Sequence, residues 1–272
     1  MSDTAPLERS TIAVPGLGEV AGLVGPGPSR LLFLHGSADS ESCWREVMAR
    51  LGSGFAPSLV AARSLVGGVT SGDLALDVDR RWLVLLLQHL RPRAIVAHSY
   101  GALLALRTAL ADPAGAPRLA LVEPIAFGLL DEEEDGRSQV DELNARFFGT
   151  LEQGNPGPGV RGLVDYWNGE GAWDHLPQRA RDRLLAGVVH TEAEVRSGRE
   201  DRTTSAELAP LAGSGAAVFG GEHTTRESYR VCARLAAALG VSAQVIPGAG
   251  HQGPRTHGPE LARRLRAWLD AS

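Results

Sequence analysis

The sequence predicts an α/β fold with a mostly parallel, twisted sheet covered by helices on both faces. Three observations predict it. Residues 30–34, 94–97, 118–122 and 216–220 are short, continuous apolar runs, as strands buried on both faces require. Stretches with apolar residues at helical spacing separate them. Strands alternating with helices of this length call for right-handed crossovers, which place the helices on the two faces of the sheet.

Taken in order, residues 11–14 and 19–23 read as an opening hairpin about Pro15-Gly16-Leu17-Gly18. The run at 30–34 is a buried strand ending in His35-Gly36-Ser37-Ala38. A helix through Trp44, Val47, Met48 and Leu51 follows, with Ser42 as its cap, and residues 55–60 supply a short strand. Asp73 or Asp77 starts a long helix that Arg91-Pro92 ends after Leu90. The strand at 94–97 leads into a helix to about Leu110, where alanine and leucine dominate. After a Pro/Gly loop at 112–117, the strand at 118–122 ends in Glu123-Pro124.

At Phe127 the rhythm breaks. The acidic run Asp131-Glu132-Glu133-Glu134-Asp135 reads as a solvated helix start or loop rather than a metal site. Val140, Leu143, Phe147, Phe148 and Leu151 recur at helical spacing, Gly154 to Gly159 is a breaker, and helices are expected around 160–167 and 177–189. Residues 127–211 are therefore read as a helical insertion capping the sheet's carboxyl edge, with residues 1–126 and 212–272 forming the core. Alternation resumes with the strand at 216–220, a helix at 226–239, a strand at 243–247, the glycine-flanked His251 and a closing helix at 259–269.

Net charge is −5 with a sequence pI of about 5.9, which gives no electrostatic footprint for nucleic acid or an anionic membrane. The longest apolar run, residues 82–87, is far too short to span a bilayer, and the first ten residues lack the apolar core of a signal peptide. Two separated cysteines, Cys43 and Cys232, call for no disulfide frame and fit a cytoplasmic compartment. No glycine-rich phosphate loop follows the first central strand, and no His/Cys/Asp cluster has metal-ligand spacing, so no cofactor or metal is expected.

The chemistry lies in Ala97-His98-Ser99-Tyr100-Gly101, a small-x-Ser-x-Gly pattern between strand and helix. Such a turn strains its central residue and projects its side chain, while small neighbours two places away relieve the crowding. Ser99 is thus a candidate nucleophile. His251 is the candidate base, because it follows a strand and Gly248, Gly250 and Gly253 let the backbone bring it inward. The backbone N–H groups of Tyr100 and Ser37 are the candidate oxyanion donors. His35 and His98 are read as holding loop backbone; His89, His175, His190, His223 and His257 have no comparable setting.

The order of His-Gly loop, Ser elbow, helical insertion and late Gly-x-Gly-His resembles the α/β-hydrolase superfamily across residues 11–269, in its serine-nucleophile branch with a helical cap. The resemblance implies a cofactor-independent hydrolase that cleaves an ester, thioester or lactone of a small acyl substrate through an acyl-enzyme on Ser99. Its alternatives on this scaffold are carbon–carbon cleavage, lyase or cofactor-free oxygenase chemistry, and a non-catalytic binding protein. Two positions depart from the pattern: Ala97 replaces the first elbow glycine, and Gly221-Glu222-His223-Thr224 carries threonine where the triad aspartate is expected. Glu123, at the end of the strand after the elbow, is favoured as the acid over Glu222. Trp167, Trp173 and Phe147, with Tyr166 and Phe148, are candidates for an apolar pocket wall or for the insertion's own core.

Overall fold

The computed structural model of the chain describes residues 7–24, 31–51, 57–60, 75–132 and 136–271. Strands β1 (Glu8–Val14) and β2 (Gly18–Val24) form a separate antiparallel hairpin. The central sheet holds β3 (Leu31–Leu34), β4 (Pro57–Val60), β5 (Ala94–His98), β6 (Arg118–Val122), β7 (Ala217–Gly221) and β8 (Ala243–Ile246). These six strands pair in parallel in the order β4-β3-β5-β6-β7-β8. β5, which carries the serine elbow at its end, is therefore flanked on both sides.

The continuous apolar strands divide their side chains between two cores at the period of two that a pleated strand imposes. Leu32, Leu34, Ile95, Ala97, Leu119, Leu121 and Val218 face one core. There they meet α2 (Ala75–Leu90) through Trp82, Leu83 and Leu86, and α3 (Tyr100–Ala111) through Leu103 and Leu106. Phe33, Val96, Val122 and Phe219 face the opposite core, packing on Trp44, on Val47 and Met48 of α1 (Arg45–Leu51), and on the C-terminal helix. Each large side chain buried this way stabilises the fold by about 1.5–3 kcal/mol.

Between β6 and β7 the chain makes only helices among the described residues: α4 (Ser138–Glu152), α5 (Pro156–Asn168), α6 (Ala172–His175), α7 (Gln178–Ala186) and α8 (Val188–Glu200), flanked by 3-10 turns. Leu143, Phe147, Phe148, Val160, Leu163 and Trp173 form a third, local core there. The chain then returns through β7, α9 (Arg226–Ala238), β8, the short α10 (Gly253–Thr256) and α11 (Gly258–Asp270). No helix among the described residues is long and apolar enough to cross a membrane.

Local details differ from the sequence expectations at three places. Ser42 does not cap a helix: it lies inside a 3-10 turn, Glu41–Trp44, and its hydroxyl pairs with that of Ser40. The stretch Gly154 to Gly159 is not a plain breaker, because Pro156 opens α5, where a missing N–H leaves no helical bond unmade. Gly159 then brings α5 against α4, since a Cβ there would lie 3.1 Å from the carbonyl oxygen of Phe147. The helix expected at 177–189 is two helices, with Gly187 between α7 and α8. Asp77 sits in the first turn of α2, whereas Asp73, Phe55 and Glu133 to Asp135 lie outside the described residues.

The elbow also fixes how closely α3 approaches β3. A Cβ on Gly101 would stand 2.6 Å from the carbonyl oxygen of His35 and 3.0 Å from Leu34 Cβ. Both neighbours are held by the sheet, so Gly101→Ala is expected to destabilise the protein by about 1–3 kcal/mol, the usual range for overpacking. Urea denaturation measures it; an unchanged midpoint would mean that the two elements can part without loss.

Candidate active site

β5 ends in His98, α3 begins at Tyr100, and Ser99 between them has φ 54° and ψ −120°. A non-glycine residue pays for that backbone with strain of about 1–3 kcal/mol. Hydrogen bonds hold it there: Ser99 N–H donates to Val122 O at 2.9 Å, and its carbonyl accepts from Ala102 and Leu103. The hydroxyl takes no part in capping α3. Instead Ser99 Oγ lies 3.1 Å from His251 Nε2.

His251 follows β8, in a loop that turns at Gly248 with φ 72°. Its Nδ1 lies 3.2 Å from Glu123 Oε2. Glu123, directly after β6, is itself in the left-handed region at φ 49°, and its N–H donates to Phe219 O at 2.8 Å. The carboxylate is 1% exposed and fully engaged. Gly221 N–H donates to Oε1 at 2.6 Å, and the Thr224 hydroxyl donates to Oε2 at 2.5 Å. Burial alone would raise its pKa, but the hydrogen bonds from His251, Thr224 and Gly221 outweigh it and hold the carboxyl below its ordinary value.

Glu222, the other carboxylate weighed, is exposed and accepts from Gly248 N–H at 2.8 Å. It ties the loop after β7 to the loop carrying His251. Thr224, which stands where an aspartate is expected, donates instead to the Glu123 carboxylate. Only the three-dimensional convergence of β6 and β7 shows that role.

His98 packs beside this line, its ring centroid 4.8 Å from that of His251. Its Nε2–H donates to the backbone carbonyl of His251 at 2.8 Å, which requires the neutral Nε2–H tautomer. Burial, and then the neighbouring His251, push its pKa down to about 3, so it stays neutral. His35 Nδ1 likewise donates to Gly36 O at 2.8 Å. Both histidines hold backbone, as their positions suggest.

The loop after β3 lies against the elbow, because a Cβ on Gly36 would stand 2.9 Å from Ser99 Cβ. Ser37 lines the cavity above Ser99, and Ala38 beside it has φ 53°. Tyr100 N–H belongs to the first turn of α3, whose N–H groups point out of the helix end. The Tyr100 phenol runs inward and donates to Asp79 Oδ2 of α2 at 2.9 Å.

Over Ser99 opens a cavity of about 520 Å³. Ile125, Phe127, Val140, Leu163 and Leu184 make its wall apolar, and Trp167 lines it as well. The Trp167 ring stacks on His251, centroids 4.0 Å apart and planes at 26°, and on Phe127 at 6.3 Å. Tyr166 beside it donates to Glu227 Oε2 of α9 at 3.1 Å. Phe147 and Trp173 do not reach the cavity: with Phe148 they fill the core among the helices between β6 and β7. The stack of Trp167 on His251 and the Asp39–Arg255 ion pair at 2.5 Å at the cavity wall are not legible in the sequence, the pair spanning 216 residues.

Residues 31–264 match the model of the alpha/beta hydrolase family. The chain belongs to this family. No curated protein sequence matches it. Solved structures share its fold at low identity. A 2-hydroxy-6-oxo-6-phenylhexa-2,4-dienoate hydrolase from Rhodococcus sp. strain RHA1 is similar with TM-score 0.71 and 16% identity, over 98% of this chain and 100% of that one. A thermophilic esterase from Thermogutta terrifontis gives TM-score 0.66 and 17% identity over 97% and 98%. The epoxide hydrolase CorEH gives 0.67 and 14% over 98% and 99%. At these identities the likeness concerns the fold alone.

One outcome is expected from this geometry. It concerns His98, whose pKa falls from 6.5 unfolded to about 3 folded. Between those values the unfolded chain binds the extra proton, so stability is lost as pH falls, by up to about 1.4 kcal/mol per unit. His98→Gln keeps a donor and should flatten urea midpoints between pH 6.5 and 4.5, above the window in which Glu123 is protonated; an unchanged slope would contradict the buried neutral histidine.

Proposed function

We propose that the protein is a cofactor-independent serine hydrolase that cleaves an ester, thioester or lactone through an acyl-enzyme on Ser99. The observation that carries the reading is the continuous line from Ser99 Oγ to His251 Nε2 at 3.1 Å and from His251 Nδ1 to Glu123 Oε2 at 3.2 Å. A serine hydroxyl becomes an effective nucleophile when an adjacent imidazole takes its proton in the transition state. A buried carboxylate on the far nitrogen keeps the imidazole in the productive tautomer and stabilises the imidazolium. Glu123, held ionised by its donors, fits that part.

In this mechanism Ser99 Oγ attacks the acyl carbon as His251 accepts its proton. The tetrahedral oxyanion takes hydrogen bonds from the N–H groups of Tyr100 and Ser37, each such donor being worth roughly 3 kcal/mol. His251 then protonates the leaving group, and a water activated by the same imidazole releases the acid. The helical segment 127–211 acts as the cap, with residues 1–126 and 212–272 as the catalytic core. A cavity of about 520 Å³ with a mostly apolar wall suits a small acyl substrate. Cys43 and Cys232 are both buried and free, in keeping with a reducing cytoplasm.

A panel of p-nitrophenyl acyl esters tests the reading. The wild type should turn over at least one, and Ser99→Ala or His251→Ala should lower kcat by roughly three orders of magnitude or more. Glu123→Gln should cost roughly two to four orders, with Glu222→Gln within about threefold of wild type. If Glu222→Gln alone lowered kcat by orders of magnitude, the acid would be misassigned.

A further inference from the structure

α4 presents Val140, Leu143, Asn144, Phe147 and Phe148 as its buried face. Asn144 stands in that stripe where the pattern calls for an apolar residue. It is 4% exposed and lines the cavity, yet its side-chain amide has no hydrogen-bond partner among the described residues. Polar groups in such a stripe are nearly always paired. The Asn144 amide is not sealed in the core but keeps access to the cavity, where a ligand can pair it.

A charge imbalance points the same way. Of the charged side chains at the cavity wall, Asp39 and Arg255 neutralise each other at 2.5 Å. Arg183 of α7, an exposed residue, also lines the cavity, beside Ala180 and Leu184, and makes no ion pair or hydrogen bond through its side chain among the described residues. Among the described residues the wall thus carries one cation without a counter-ion and two amides without a partner, Asn144 and Gln252, of which Asn144 shares the helical segment between β6 and β7 with Arg183. Both groups lie on the helices and line the same cavity as Ser99 and His251. A carboxylate accepts hydrogen bonds from both an amide N–H and a guanidinium, and matches the net positive charge.

We propose that Asn144 and Arg183 form a second recognition point for a carboxylate on the substrate, so that the preferred ester or thioester has an apolar body ending in a carboxylate. This rests on the hydrolase reading above for the reaction, but not for the binding. A matched pair of esters, p-nitrophenyl hexanoate and mono-p-nitrophenyl adipate, differs at the chain terminus by that carboxylate. The wild type should favour the adipate ester by roughly tenfold or more in kcat/KM, the range of a charge-assisted hydrogen bond. Asn144→Leu and Arg183→Gln should each remove that preference while changing the hexanoate rate by less than about threefold. Equal rates for the two esters in the wild type, or equal losses on both in the variants, would overturn the proposal.

Calorimetry with monomethyl adipate on the Ser99→Ala protein reads binding without turnover. Its Kd should rise roughly tenfold or more when Asn144→Leu or Arg183→Gln is added. A Kd unmoved by both substitutions sinks the carboxylate site whatever the ester assays give. Turnover of neither ester beside a Kd that does rise would instead overturn the hydrolytic reading and leave the recognition point standing.

Discussion

A serine held at φ 54° and ψ −120° between β5 and α3 is the constraint on which the site depends. That backbone is tolerable only because its surroundings over-determine it. Ser99 N–H is bonded to β6, Gly101 lets α3 approach to within contact of β3, and the strand below is buried along its whole length. The same device recurs at the neighbouring strand ends, with Ala38 at φ 53° and Glu123 at φ 49°. Three adjacent loops are thus bent sharply above one edge of the sheet. Their side chains and N–H groups converge because the strands that feed them are parallel and adjacent.

The electrostatics follow from that convergence. A carboxylate as buried as Glu123 would ordinarily pick up a proton, and a protonated acid cannot stabilise an imidazolium. Here donors from β7 and the loop after it, Gly221 N–H and Thr224 hydroxyl, together with His251, keep it ionised. With Thr224 where an aspartate is expected, the loop after β7 supports the Glu123 carboxylate rather than supplying one of its own. On the other side of His251, neutral His98 fixes the backbone and Trp167 covers the ring.

Much of this was legible in the sequence, for physical reasons that also mark its boundary. Fully buried strands print themselves as unbroken apolar runs, so β3, β5, β6 and β7 were readable directly. Ser99 and His251 were readable because small and glycine residues surround them where the backbone must bend. The choice of Glu123 over Glu222 followed from strand position, and the structure brings Glu123 to His251 while Glu222 holds Gly248. What misled or stayed open were signals with two physical meanings. Pro156 can break a helix or open one, and opens α5. Trp167, Trp173 and Phe147 are aromatics at helical spacing, and periodicity says that a face is buried without saying against what; one covers the cavity and two fill a local core. Asn144 drew no notice because a single polar residue in an apolar stripe acquires meaning only once its lack of a partner is visible.

The central claim is that Ser99 alone is activated as a nucleophile by its left-handed turn and the His251–Glu123 pair. Covalent labelling with a fluorophosphonate, read by intact mass and peptide mapping, measures that most directly. The account predicts one adduct per chain, on Ser99, absent from Ser99→Ala and formed far more slowly by His251→Ala. An adduct mapping to another residue, or a folded wild-type protein that takes none, would contradict it.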